Sequence, residues 1–140
     1  MSTKGMAYSI IDSMSEQEIQ AFVYRSLSPA QMKNIHKVSS FSNLKKGWNG
    51  YDAEPIDTSL IERVKEILVS LSTYQPEVFP TGRNSIQLEY EKENGDYLEF
   101  EIFEDGKISM YLSKGNEEVE ELITVENIRR KVENFYGRVA

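Results

Sequence analysis

From Ser85 to Leu112 apolar and polar residues alternate with a period of two, interrupted twice by short turns of acid and glycine, and this pattern limits the fold more than any other feature of the chain. Ile86, Leu88 and Tyr90 alternate with Gln87, Glu89 and Glu91; Leu98, Phe100 and Ile102 with Glu99 and Glu101; Ile108, Met110 and Leu112 with Ser109 and Tyr111. A period of two is that of a strand with one face in the core. The turns Glu93-Asn94-Gly95 and Glu104-Asp105-Gly106 are then constrained by parity. A two-residue Asn94-Gly95 loop pairs Tyr90 with Glu99 and mixes apolar and charged sets on one face. A three-residue loop with a left-handed glycine instead pairs 90 with 98, 88 with 100 and 86 with 102. The second turn gives the same answer, pairing 102 with 108, 100 with 110 and 98 with 112. Two similar hairpins are predicted, with Gly95 and Gly106 at positive φ.

Before the strands the period is helical. Ser15-Glu16-Gln17-Glu18 has the form of a capping box, and Ile19, Phe22 and Val23 follow on one narrow face up to about Leu27. Ser28-Pro29-Ala30-Gln31 opens a second helix, with proline at the first position and Met32, Ile35 and Val38 as its stripe. Serines 39, 40 and 42 weaken its end. Asp57 or Thr58 caps a third helix, in which Leu60, Ile61, Val64, Ile67, Leu68 and Leu71 form the broadest stripe, expected to lie on the core and to end at Gln75-Pro76. Val78 and Phe79 suit a short edge strand. After the meander, Lys114-Gly115-Asn116 and the acidic run Glu117, Glu118, Glu120, Glu121 are expected to leave the sheet. A last helix starts at Thr124 to Asn127, with Val125, Ile128, Val132 and Phe135 inward. The expected fold is α+β: an antiparallel meander of three to four strands, covered on one face by helices, with an N-terminal helix pair. One domain over 1–140 is expected, divided into the helix pair at 1–44 and a helix–sheet–helix core at 45–140.

The segment Gly47-Trp48-Asn49-Gly50-Tyr51-Asp52-Ala53-Glu54-Pro55-Ile56, then Pro76-Glu77-Val78-Phe79-Pro80-Thr81 and Ile86-Gln87-Leu88-Glu89-Tyr90, resembles a group of small bacterial and phage-borne proteins. Those share a Trp-Asp/Asn-Gly-Tyr turn, a helix, a Pro-x-Val-x-Pro-Thr strand and an Ile-Gln-Leu-Glu-aromatic strand. The likeness covers about residues 44 to 112. Asn49 stands where Asp is common, Ser85 where glycine often precedes the Ile, and Tyr90 where Trp is usual. The resemblance implies the fold and one domain. It implies no catalytic role, since no activity is established for the group.

The 140 residues contain no cysteine, 16 Lys plus Arg and 23 Asp plus Glu, for a net charge of −7. Cysteine-based zinc sites, disulfides and thiol nucleophiles are excluded. The deficit is local. Residues 1–50 carry six bases against three acids and residues 124–140 four against two, whereas residues 84–123 carry three bases against twelve acids. No stretch is apolar enough for a signal-peptide core near Lys4 and Met6 to Ile11 or for a membrane span, so a cytoplasmic protein without membrane contact is expected.

By the register above, the polar sheet face carries Glu89 and Glu91, Tyr97, Glu99, Glu101 and Phe103, and Tyr111. Glu89 lies opposite Glu99, a like-charge pair that stability alone does not favour. The face reads as a binding surface for a cationic partner, or more plainly as a solvated face kept soluble by glutamates. Trp48 and Tyr51 complete the candidate set. A tryptophan in such a turn either stands out as an anchor or folds back as a plug with its indole N–H on a loop carbonyl, and the plug is the expectation. His36, the only histidine, is expected on the surface. No Gly-x-Ser-x-Gly elbow, phosphate loop or calcium loop is present, and no cofactor is expected. The leading expectation is a non-catalytic cytoplasmic interaction module, of a phage or mobile-element accessory type, that presents the acidic face or the N-terminal helices to a protein partner. The alternatives are nucleic-acid binding through the basic N-terminal helices, against which the net charge argues, and a metal-assisted hydrolase using the sheet carboxylates. Self-association also accounts for the charge asymmetry.

Overall fold

A computed structural model describes residues 15–137. The expectations for Lys4 to Ile11, and for the side chains of Phe22 and Val23, lie outside the described residues. The order is α1 (Glu16–Ser26), α2 (Pro29–Ser40) running into a 3-10 turn (Phe41–Asn43), α3 (Thr58–Ser70), β1 (Glu77–Pro80), β2 (Ser85–Glu91), β3 (Tyr97–Phe103), β4 (Ile108–Lys114), β5 (Glu117–Ile123), a second 3-10 turn (Val125–Asn127) and α4 (Ile128–Phe135).

Parity decides the sheet as expected. Tyr90 faces Leu98, Leu88 faces Phe100 and Ile86 faces Ile102; Phe100 in turn faces Met110 and Leu98 faces Leu112. Gly95 and Gly106 sit at φ 94° and 93°. Two backbone bonds close each turn: Lys92 N–H to Asp96 O at 2.9 Å with Gly95 N–H to Lys92 O at 3.0 Å, and Phe103 N–H to Lys107 O with Gly106 N–H to Phe103 O, both 2.9 Å. A side chain at either glycine would force Cβ into the left-handed region.

The sheet has five antiparallel strands in sequence order, one more than the widest expectation. Glu117 to Ile123 does not leave the sheet. It turns back through Gly115-Asn116 and pairs with β4 from Lys114–Glu117 to Ile108–Ile123. Its glutamates hide the strand period, because only Ile123 among its residues is partly buried. The backbone ladder, not side-chain burial, holds it.

One apolar cluster runs from Ile35 to Phe135 and takes in α2, α3, the inner faces of the strands and α4. α3 buries Leu60, Ile61, Val64, Ile67 and Leu68 over the sheet; each such side chain contributes about 1.5–3 kcal/mol relative to exposure. The helix stops at Ser70 rather than Gln75, because Gln75 folds back as its cap. The Gln75 amide donates to Leu68 O at 3.0 Å and Leu71 O at 2.6 Å. Gln31 of α2 donates to Leu68 O and Val69 O at 3.3 and 3.0 Å, and Asn34 donates to Pro76 O at 2.9 Å. These two amides and Ile35 and Val38 are buried, so α2 packs against the end of α3 and the start of β1 with that part of its stripe in the core, while Met32 is half-buried. Val125 also departs from expectation: it lies in the 3-10 turn, exposed, while Ile128, Val132 and Phe135 pack inward.

Candidate functional site: the polar face of the sheet

Successive pairings line the polar face in rows across the strands. One row runs Phe79, Gln87, Glu101, Ser109, Leu122; its neighbour runs Glu77, Glu89, Glu99, Tyr111, Glu120. Adjacent strands lie about 4.8 Å apart, so the second row sets the carboxylates of Glu77, Glu89 and Glu99 side by side, with Tyr111 standing between Glu99 and Glu120.

Glu101, expected as a partner-binding residue, is already held within the chain. Arg83 grips it with two donors, Nε to Oε2 at 3.2 Å and Nη2 to Oε1 at 3.1 Å. The Ser85 hydroxyl donates to Oε2 at 2.5 Å and the Gln87 amide to Oε1 at 3.4 Å. Since the single Ser85 proton goes to Glu101, the Thr81 hydroxyl at 2.5 Å is the donor to Ser85. Arg83 N–H donates to Thr81 Oγ1 at 3.0 Å and closes the ring. Burial pushes the Glu101 carboxyl up, but the bonds from Arg83 and Ser85 and the Arg83 charge outweigh it and hold the group below its ordinary value. The Arg83 guanidinium is raised, first by its hydrogen bond to Glu101 and then by that charge. Arg83 and Ser85 were not among the candidate residues. Ser85 could have been found from register, since it shares parity with Gln87, but Arg83 lies in a turn, which has no strand period.

The neighbouring row is served differently. Tyr97, at the start of β3 in the next row beyond Glu99, donates to Glu89 Oε1 at 2.6 Å and to Glu99 Oε1 at 2.7 Å. A phenol has one proton, so at any instant one of the two carboxylates lacks it. Burial first, then the bonds to Glu89 and Glu99, push the phenol far above its ordinary value, so it remains a donor. Among the described residues no Lys or Arg forms an ion pair with Glu77, Glu89, Glu99 or Glu120. Glu77 and Glu120 were missed as site residues because one lies on the edge strand before the meander and the other on a strand not foreseen.

The remaining candidates scatter. Glu91 is exposed at the end of β2, and Phe103 is half-buried with Lys107 Nζ 5.6 Å from its ring centre. Tyr111 lies 6.2 Å from Tyr97, ring to ring, and its hydroxyl donates to Glu118 at 3.2 Å. Trp48 is partly buried against the core and its indole N–H donates to Glu54 O at 3.0 Å, the plug arrangement. Tyr51 in the same loop is 82% exposed. That loop is braced by Asn49, whose Oδ1 accepts from Tyr51 N–H at 2.9 Å, and it abuts the turn carrying Arg83: a Cβ on Gly82 would stand 2.7 Å from Asn49 Nδ2. His36 is exposed on α2. Among the described residues no three His, Asp or Glu side chains come together as a metal site, and no helix is long and apolar enough to cross a membrane.

No protein-family model, curated protein or solved structure matches the chain.

Proposed function

We propose that the protein is a non-catalytic, cytoplasmic interaction module whose acidic, aromatic sheet face takes a basic protein partner. The row Glu77, Glu89, Glu99 and Glu120 carries this reading: its carboxylates have no ion pair among the described residues, while Glu101 one row away has a full set of donors. Glu89 and Glu99 between them hold more acceptor sites than the one Tyr97 proton serves, and a cationic side chain arriving from a partner supplies what is missing. Tyr97 and Tyr111 add flat, stiff contact area beside the charges, which suits a hot spot.

The test is capture from extracts of the native cells, with the wild type and with Glu77→Gln/Glu89→Gln/Glu99→Gln. A basic protein held by the wild type, released by added salt and lost from the triple variant is the expected result. An unchanged captured set in the triple variant removes the reading. Binding of duplex DNA that weakens steeply with salt points instead to the basic N-terminal helices, and a divalent-metal thermal shift lost in the triple variant points to metal-assisted chemistry.

A further inference from the structure

β5 forms one edge of the sheet, and its outer side has no neighbour among the described residues. The hairpin leading into it has a two-residue loop, with Lys114 opposite Glu117 and Gly115 at φ 60°. In such a hairpin the flanking pair is hydrogen bonded, and so is every second pair after it. Glu117, Val119, Glu121 and Ile123 therefore turn their N–H and C=O groups toward β4. Glu118, Glu120 and Leu122 turn theirs outward.

Natural edges are commonly blunted by proline, lysine or a bulge. β5 has none of these and carries only acidic charge, at Glu117, Glu118, Glu120 and Glu121, which repels acidic strands and its own copy but not a cationic one, and its pairing with β4 runs unbroken over all seven residues. Its two sides differ in chemistry. Glu118, Glu120 and the 65% exposed Leu122 share the polar face. On the helix side Val119 and Ile123 alternate with Glu117 and Glu121, exposed Val125 lies beyond them, and Glu121 is paired with Lys131 at 3.0 Å. There Ile123 borders an open cavity of about 670 Å³, lined by Ile67, Ile108 and Val125 together with the charged Arg63 and Arg129.

We propose that β5 accepts a sixth strand from a partner: an extended segment in which Lys or Arg alternates with aliphatic residues. Its cations lie beside Glu118 and Glu120, its aliphatic side chains lie beside Val119 and Ile123 at the mouth of the cavity, and its backbone bonds to the outward groups of residues 118, 120 and 122. Charge selects this occupant over a second copy of the chain. Antiparallel pairing of β5 with itself about its centre sets Glu120 opposite Glu120 and gathers the glutamates of both strands, which is destabilising. The proposal goes beyond the sheet-face reading and survives its failure, because it needs the backbone of one strand and not the carboxylates of Glu77, Glu89 and Glu99.

The test uses the full chain and an acetylated, amidated seven-residue peptide of alternating lysine and valine, read by amide hydrogen exchange residue by residue. The expected result is slowing of the amides of Glu118, Glu120 and Leu122 by about tenfold or more at saturating peptide. Glu89→Gln/Glu99→Gln leaves that protection in place. Glu118→Gln/Glu120→Gln weakens binding about tenfold and flattens its salt dependence. Glu120→Pro, which removes an outward N–H and no bond to β4, abolishes it; should that variant lose the β4 amide protection as well, the glutamine pair carries the test alone. The proposal is overturned by no binding at millimolar peptide, by binding without slowing at the three amides, or by equal slowing with a glutamate–valine peptide. Slowing that grows with protein concentration and without peptide also overturns it, by making a second copy the occupant.

Discussion

Two adjacent rows on one sheet face use the same residue type in opposite ways. Glu101 meets a bidentate guanidinium, a serine hydroxyl and an amide, and it ties the turn before β2 to the middle of β3. Glu89 and Glu99, one row away, have a single shared phenol and each other. A half-buried carboxylate with donors on both oxygens stabilises the fold and has nothing left to offer a ligand. A pair of carboxylates short of donors strains the fold slightly and keeps acceptor capacity for something outside it. The comparison separates charge that belongs to the fold from charge that is left over, which net charge alone does not do.

The largest effect is expected at Glu101. Glu101→Ala leaves the fully buried Ser85 hydroxyl without its acceptor and Arg83 without its partner, for a loss of about 2 kcal/mol in urea unfolding. If the loss is negligible, the two rows do not differ in kind. The pH dependence sharpens the same point. Because the Glu101 carboxyl is held below its ordinary 4.5, its contribution is present in full above that value and is lost as pH falls through the lowered one. The stability gap between the wild type and Glu101→Gln should therefore be widest above pH 4.5 and narrow in more acid solution.

Tyr97→Phe should be next, at about 1 kcal/mol, since it removes the one donor between Glu89 and Glu99. Combining it with Glu99→Gln should recover most of that loss; simple addition of the two effects in a double-mutant cycle would show that Tyr97 and Glu99 are not coupled. The smallest effect has the opposite sign. Glu99→Gln should raise stability by about 0.5 kcal/mol, by ending a like-charge pair across two strands, while weakening capture of a basic partner. A gain in stability with capture unchanged assigns the row to plain solvation.

Much of this arrangement could be read before any coordinates. The register of β2, β3 and β4 followed from parity, because slipping one residue would expose Phe100 and bury Glu99 and Glu101. α1 and α2 followed from the capping boxes at Ser15 and Ser28 and α3 from its stripe, whereas Asp57 and Asn127 stand at the cap positions of α3 and α4 without a side-chain capping bond. What escaped shares one physical cause. β5 buries almost nothing, so it leaves no periodic trace; its signal lay in the two-residue Gly115-Asn116 turn, which forces an immediate return. The true end of α3 also escaped, since Gln75 and Gln31 reach its last carbonyls from outside the helix. Arg83 escaped because turn residues obey no period.

The sequence by itself determined which residues face the core and which face water, since that choice rests on the alternation of side chains along a local segment. It also determined the two glycine turns, where backbone strain admits few other residues. Only the tertiary structure decided which glutamates are satisfied and which are not. Donors come from wherever the chain happens to return: Arg83 reaches Glu101 from 18 residues away and Ser85 from 16, while among the described residues no cation pairs with Glu89 or Glu99. Hydrogen bonds act over about 3 Å and hold no memory of sequence distance, so the acidic face divides into a structural row and an open one only once the strands are side by side.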